Sequence, residues 1–184
     1  MYTDLYRAKK ADFRLSRPQG IIITHSVDLF LKGDIDSRVR HDSYKPSFHI
    51  FSKYTWGRLK LDRFPSHYFI EQIEDEVCTI VGTGLQMSSS YLNKYIAKDE
   101  TTLNDFIFIV IAGDYSDFII PDDIYKRLGN LISSILYTYK MNGKIINVHT
   151  LSDIVSLFDL DPHKEVELKP MTKFKREELS LYVK

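Results

Sequence analysis

The segment Phe106-Ile-Phe-Ile-Val-Ile-Ala112 is an unbroken run of apolar, mostly β-branched and aromatic residues. It is far too short for a membrane span, and it shows none of the polar alternation of a strand with one wet face. It predicts a central strand covered on both sides. Ile21-Ile22-Ile23-Thr24, ending in His25, has the same character. Ile124, Leu128, Leu131, Ile132, Ile135, Leu136 and Tyr139 form one stripe at helical spacing, predicting a helix over about 121–140. Pro121 suits its first position, Asp122 and Asp123 its positive end, and Asn142-Gly143 its stop.

Further strands are expected at His67–Glu71 and Val77–Val81, joined as a hairpin through Glu74-Asp75-Glu76, and at 145–148, leading into His149. Residues 82–102 read as a surface loop with a helical turn near 91–96. Residues 28–65 are the least legible stretch, with a short helix near 47–55 that carries Phe48, Phe51 and Tyr54. With Trp56, these aromatics suit core packing, an interface or stacking on a sugar ring. The fold class is α/β: a central mixed β-sheet flanked by helices, in one domain over 1–184. Phe174, Leu179 and Leu181 would allow a docking helix within 170–184.

Twenty-five basic residues balance twenty-five acidic ones, which argues against a polyanion such as nucleic acid as the main partner. No window approaches the roughly 18 apolar residues of a membrane span. The first ten residues lack the apolar core of a signal peptide, so the chain is expected to be made in a cytoplasm. Cys78 is the single cysteine and reads as a small apolar residue on its strand, which leaves no intrachain disulfide.

His25 and His149 each end a short apolar run, and Asp161-Pro162 follows twelve positions after the second. Two imidazoles and a carboxylate at strand ends are the ligand set of an open zinc site with a fourth position free for water. The bland alternatives are strand-end histidines bonded to backbone and an Asp-Pro turn. His67 and Tyr68 read as structural, and the acidic run Glu71–Glu76 as a hairpin tip.

Four stretches together resemble the zinc-dependent N-acetylmuramoyl-L-alanine amidases, whose fold is shared with peptidoglycan-recognition proteins and several phage lysozymes. They are Ile-Ile-Ile-Thr-His25-Ser; Pro65-Ser66-His67-Tyr68-Phe69-Ile70; Asn104-Asp105-Phe106 through Gly113-Asp114-Tyr115; and His149-Thr-Leu-Ser152-Asp153-Ile154 continuing to Asp161-Pro162. The last is similar to the family's His-Ser-Asp-Ile…Asp-Pro segment with two residues inserted after the histidine. The resemblance covers about 18–165 and leaves 166–184 as a C-terminal extension. It implies that His25, His149 and Asp161 hold Zn2+, whose bound water, with a pKa lowered to about 7, attacks the muramoyl-alanine amide of peptidoglycan.

The chain departs from that family at four places. The glutamate base of many members falls on apolar Val110 or Ile111, and the tyrosine other members use falls on Ser66. Asp159 stands where a lysine often supports the oxyanion, and no Trp-His-Ala-Gly loop lies between Gly82 and Asn104. His163 is the best substitute for the missing catalytic group. Two main functions follow. One is an endolysin-like zinc amidase of phage origin. The other is an inactive descendant serving as a wall-binding or structural module, with protein partners in a virion-like assembly. An unrelated α/β binding protein, in which the histidines never meet, is a third.

Overall fold

A computed structural model describes residues 18–34, 48–97, 103–139 and 147–184. Five strands form one sheet: β1 (Gly20–His25), β2 (Tyr68–Ile73), β3 (Glu76–Val81), β4 (Phe106–Ile111) and β5 (Asn147–Thr150), in the order β3-β2-β4-β1-β5. β1 runs parallel to β4 and β5, β2 parallel to β4, and β3 antiparallel to β2, so the sheet is mixed. Helices α1 (Phe48–Gly57), α2 (Asp122–Thr138), α3 (Leu151–Leu157) and α4 (Arg176–Ser180) cover it. Among the described residues no helix is long and apolar enough to cross a membrane.

The apolar runs behave as their composition requires. Strand residues point alternately to the two faces. Ile22, Phe106, Phe108 and Val110 therefore enter one core with Phe51 of α1 and Leu151 and Ile154 of α3. Ile21, Ile23, Ile107, Ile109 and Ile111 enter the other, against Ile124, Leu128, Ile132 and Ile135 of α2. β1 and β4 are buried along their whole length. The aromatic group of the illegible segment is mostly core: Phe51 is fully buried and packs with Phe30, Phe64 and Phe69, while Trp56 remains exposed.

Three expectations need correction. Pro121 is the N-cap of α2 and not its first residue. β2 runs to Ile73, two residues past the expected strand end at Glu71, so the hairpin tip is shorter than the acidic run Glu71–Glu76; Glu71 is buried, and its carboxylate accepts a 2.7 Å hydrogen bond from the Phe48 amide in the first turn of α1. β5 spans Asn147–Thr150, which puts His149 inside the strand and not beyond it. The helix near the C-terminus docks on the chain itself, with Leu179 buried in the α2-side core. The expected Asn142-Gly143 stop lies outside the described residues.

The final residues are tied down along their length. Lys175 N donates to Tyr125 Oη at 2.8 Å, Tyr182 Oη to Asp122 at 2.7 Å, and Lys184 N to Ser133 Oγ at 2.9 Å. Tyr182 crosses α2 over Gly129, where an added Cβ would meet Tyr182 Cβ at 2.4 Å and its carbonyl carbon at 2.8 Å. Gly129→Ala should therefore lower stability by about 1–3 kcal/mol, because the clash outweighs the gain in helix propensity of about 1 kcal/mol. A urea midpoint below that of the wild type checks this.

Candidate functional site

The carboxyl ends of β1 and β4 lie side by side, with His25 paired to Ile111. This is the edge of a parallel sheet where open α/β folds place their ligands. Beyond Ile111, Gly113 takes a positive φ of 132°, and the chain turns back so that the Tyr115 ring lies along His25, centroids 6.5 Å apart. Beyond His25, the turn Ser26–Leu29 brings Asp28 under the same imidazole.

His25 has no exposed surface, and both of its ring nitrogens are engaged. Nδ1 accepts from the Tyr115 amide at 2.7 Å, and so Nε2 carries the hydrogen and donates to the Lys169 carbonyl at 2.8 Å. Asp28, also buried, accepts from the Lys169 amide at 2.7 Å and from the Thr24 hydroxyl, and lies 3.3 Å from His25 Nε2. Tyr91 Oη donates to the Asp28 carbonyl at 2.7 Å. Asp114 sits at the other end of the ring, 3.7 Å from Nδ1, and pairs with Lys169 Nζ at 3.5 Å. Burial raises the Asp114 pKa, but hydrogen bonds from the Ser116 hydroxyl and amide, with His25 and Lys169 nearby, outweigh it. The carboxyl is held below its ordinary range.

His149 does not join this group. It pairs with Ile22, three register positions before His25, or about 10 Å back along the strand. Val148 packs into the α2-side core, so alternation turns His149 to the opposite face from His25. The strand ends at Thr150 in a capping box: Thr150 Oγ1 accepts from the Asp153 amide, and the Asp153 carboxylate accepts from the Thr150 amide. The residue directly before Ser152-Asp153-Ile154 is Leu151, fully buried in the α1/α3-side core.

Asp161 and His163 are exposed on the segment after α3. The His163 amide donates to the Tyr95 carbonyl, its ring meets Tyr95 edge-on, and its Nδ1 accepts from the Glu165 amide. Asp159, in the lysine position, has a φ of 49° and ends α3: its amide bonds to Ser156 and that of Leu160 to Val155, a Schellman stop. His67 is structural as expected. Its Nδ1 accepts from Phe108 N and its Nε2 bonds to Met87 O.

Among the described residues no three His, Cys, Asp or Glu side chains come together as a metal-holding group. The donor set expected for zinc does not fit one. Neither nitrogen of His25 has a free lone pair to offer, the carboxylates flank opposite ends of its ring, and His149 faces away. Asp28 and Lys169, which organise the site, were missed in the sequence. Asp28 left a signal, a lone acid within Val27-Asp-Leu-Phe-Leu31, whereas Lys169 acts mainly through its backbone, which carries no sequence signature.

Comparison with solved structures explains the frame around this site. Drosophila PGRP-LB superposes with a TM-score of 0.61 at 11% identity, over 94% of this chain and 86% of its own. The N-acetylmuramoyl-L-alanine amidase LysC from Clostridium intestinale gives 0.56 at 14%, over 95% and 89%. AmpD gives 0.54 at 14%, over 94% and 89%. The chain has the amidase/PGRP fold. No family model matches its sequence, and no curated protein does. Within the amidase/PGRP frame, the strand ends of this chain carry a closed hydrogen-bonded network around His25.

Two measurements test this geometry. Asp28→Ala should cost about 1–3 kcal/mol for each buried donor it orphans, with a smaller loss for Asp28→Asn, both read from chemical denaturation. His149 is held below its ordinary 6.5 by burial and then by the Arg176 guanidinium, against the opposing pull of Asp153. The folded state thus takes up this proton less readily than the unfolded chain. Stability is full above pH 6.5 and falls as pH drops through it. His149→Asn should flatten that slope in urea midpoints taken over about pH 5–8.

Proposed function

We propose that the chain is a non-hydrolytic member of the amidase/PGRP fold that serves as a cell-wall-binding or structural module. The observation that carries this reading is the His25 imidazole, whose two nitrogens are already spent on Tyr115 N and Lys169 O. The surroundings support it. Val110 and Ile111, where a glutamate base would stand, are fully buried in the two cores, and Asp159 serves as a helix stop. A zinc-dependent amidase needs a metal to activate water, a base to take its proton and a donor for the oxyanion. Among the described residues no group of three ligands gathers to hold the metal, and the Asp114 carboxylate and Lys169 ammonium beside His25 are paired with each other.

Peptidoglycan is the ligand to test, since LysC is an N-acetylmuramoyl-L-alanine amidase. Action at a bacterial wall or within a phage particle, after synthesis in a cytoplasm, belongs to the same proposal. The competing reading is a phage-type zinc amidase that cuts the muramoyl-alanine bond with His163 as its catalytic group.

Purified peptidoglycan from several wall types separates the two. The folded wild type should release no free stem peptide at any pH, with or without added zinc, and should co-sediment with at least one wall. Release that disappears with a chelator and in His149→Ala would overturn the proposal and restore the amidase.

A further inference from the structure

The residue that the resemblance makes a zinc ligand does other work in this chain. Lys169 is gripped three times at the strand ends: its amide by Asp28, its carbonyl by His25 Nε2, and its ammonium by Asp114. The segment is anchored on both sides of that point. Upstream, Val166 is buried and forms a β-bridge with Leu31, and Lys32 N donates to Glu165 O at 2.7 Å. Downstream, Met171 is buried in the α2-side core, and Thr172 Oγ1 donates to the Ser116 carbonyl. Tyr125 Oη bridges the segment further on, donating to Lys173 O and accepting from Lys175 N.

We infer that His25 has exchanged a metal-binding role for that of anchor to the chain's own C-terminal segment, and that the fold is complete without zinc. A structural metal ties separate loops together through a shared ion. Here one imidazole joins the end of β1, the Gly113–Ser116 turn and the 165–175 segment through two hydrogen bonds, and Asp28 adds a third. Zinc could reach His25 only by displacing Tyr115 N or Lys169 O, leaving a buried backbone group without a partner. The inference does not depend on wall binding, because a chain that binds no peptidoglycan would still carry this anchor.

The test uses the intact chain. Elemental analysis after purification with zinc in every buffer should find no stoichiometric zinc, and Tm should be the same in zinc and in chelator. A metal held only by the native state would raise Tm with its concentration. Hydrogen exchange followed by peptide mapping then compares variants. His25→Ala should speed exchange in 165–175 and 113–116 while leaving α2 protected, and His149→Ala should change neither segment. Should His25→Ala fail to fold, His25→Gln replaces it. Gln keeps an amide donor that can take the place of Nε2 toward Lys169 O, but its acceptor oxygen does not sit where Nδ1 meets Tyr115 N, so faster exchange should concentrate in 113–116. One zinc per chain that is lost on substituting His25, or exchange in both segments unchanged in the variants, would overturn the inference.

Discussion

An imidazole sealed from solvent must find partners for both ring nitrogens within the protein, and this requirement at His25 organises one end of the molecule. β1 lies between β4 and β5 with both faces covered, so its last side chain emerges into protein and not into water. An orphaned polar group there would cost about 1–3 kcal/mol. The Nδ1 side is met by the Tyr115 amide, which is delivered by the turn at Gly113, a position whose φ of 132° few other residues would accept. The Nε2 side is met by a carbonyl 144 residues away in sequence. That second partner makes the C-terminal segment part of the sheet's end.

The same segment explains the other buried polar groups. Asp28 is a carboxylate with almost no exposure, tolerable only because Thr24, Lys169 N and His25 surround it. Remove 166–184 in thought, and Asp28 loses its amide donor, His25 loses its acceptor and α2 loses the cover of Tyr182 over Gly129. The extension is a wall of the core, and its register is set jointly by Lys169 at the strand ends and by Tyr182 over Gly129.

The parts legible in the sequence were those with a sustained apolar pattern. The unbroken apolar runs of β1 and β4 mark strands buried on both faces, and the 3.6-residue stripe of α2 marks a helix buried on one, so the layers could be read directly. His149 was misplaced because an apolar run of four residues fixes neither where a strand ends nor its register. Both were decided by the Thr150–Asp153 capping box, which starts α3 before the strand reaches the level of His25. Glu71 was misread because acids near a turn are usually wet; this one found the first turn of α1 instead. The grip on Lys169 had no readable signal, being made largely to backbone atoms.

The departures from the catalytic plan share a physical cause. A hydrolytic site must keep some polar groups unsatisfied so that metal, water and substrate can complete them, and a folded chain holds such groups at a cost. On the proposed non-hydrolytic reading, the opposite trade has been made at each position. Val110 and Ile111 fill the two cores, so a carboxylate at either would be buried without a partner. Asp159 has turned to ending a helix, Leu151 occupies the core just before Ser152-Asp153-Ile154, and His25 bonds to the chain itself. The amidase/PGRP frame survives because its stability lies in the covered strands and α2, which make no use of the chemistry at their ends.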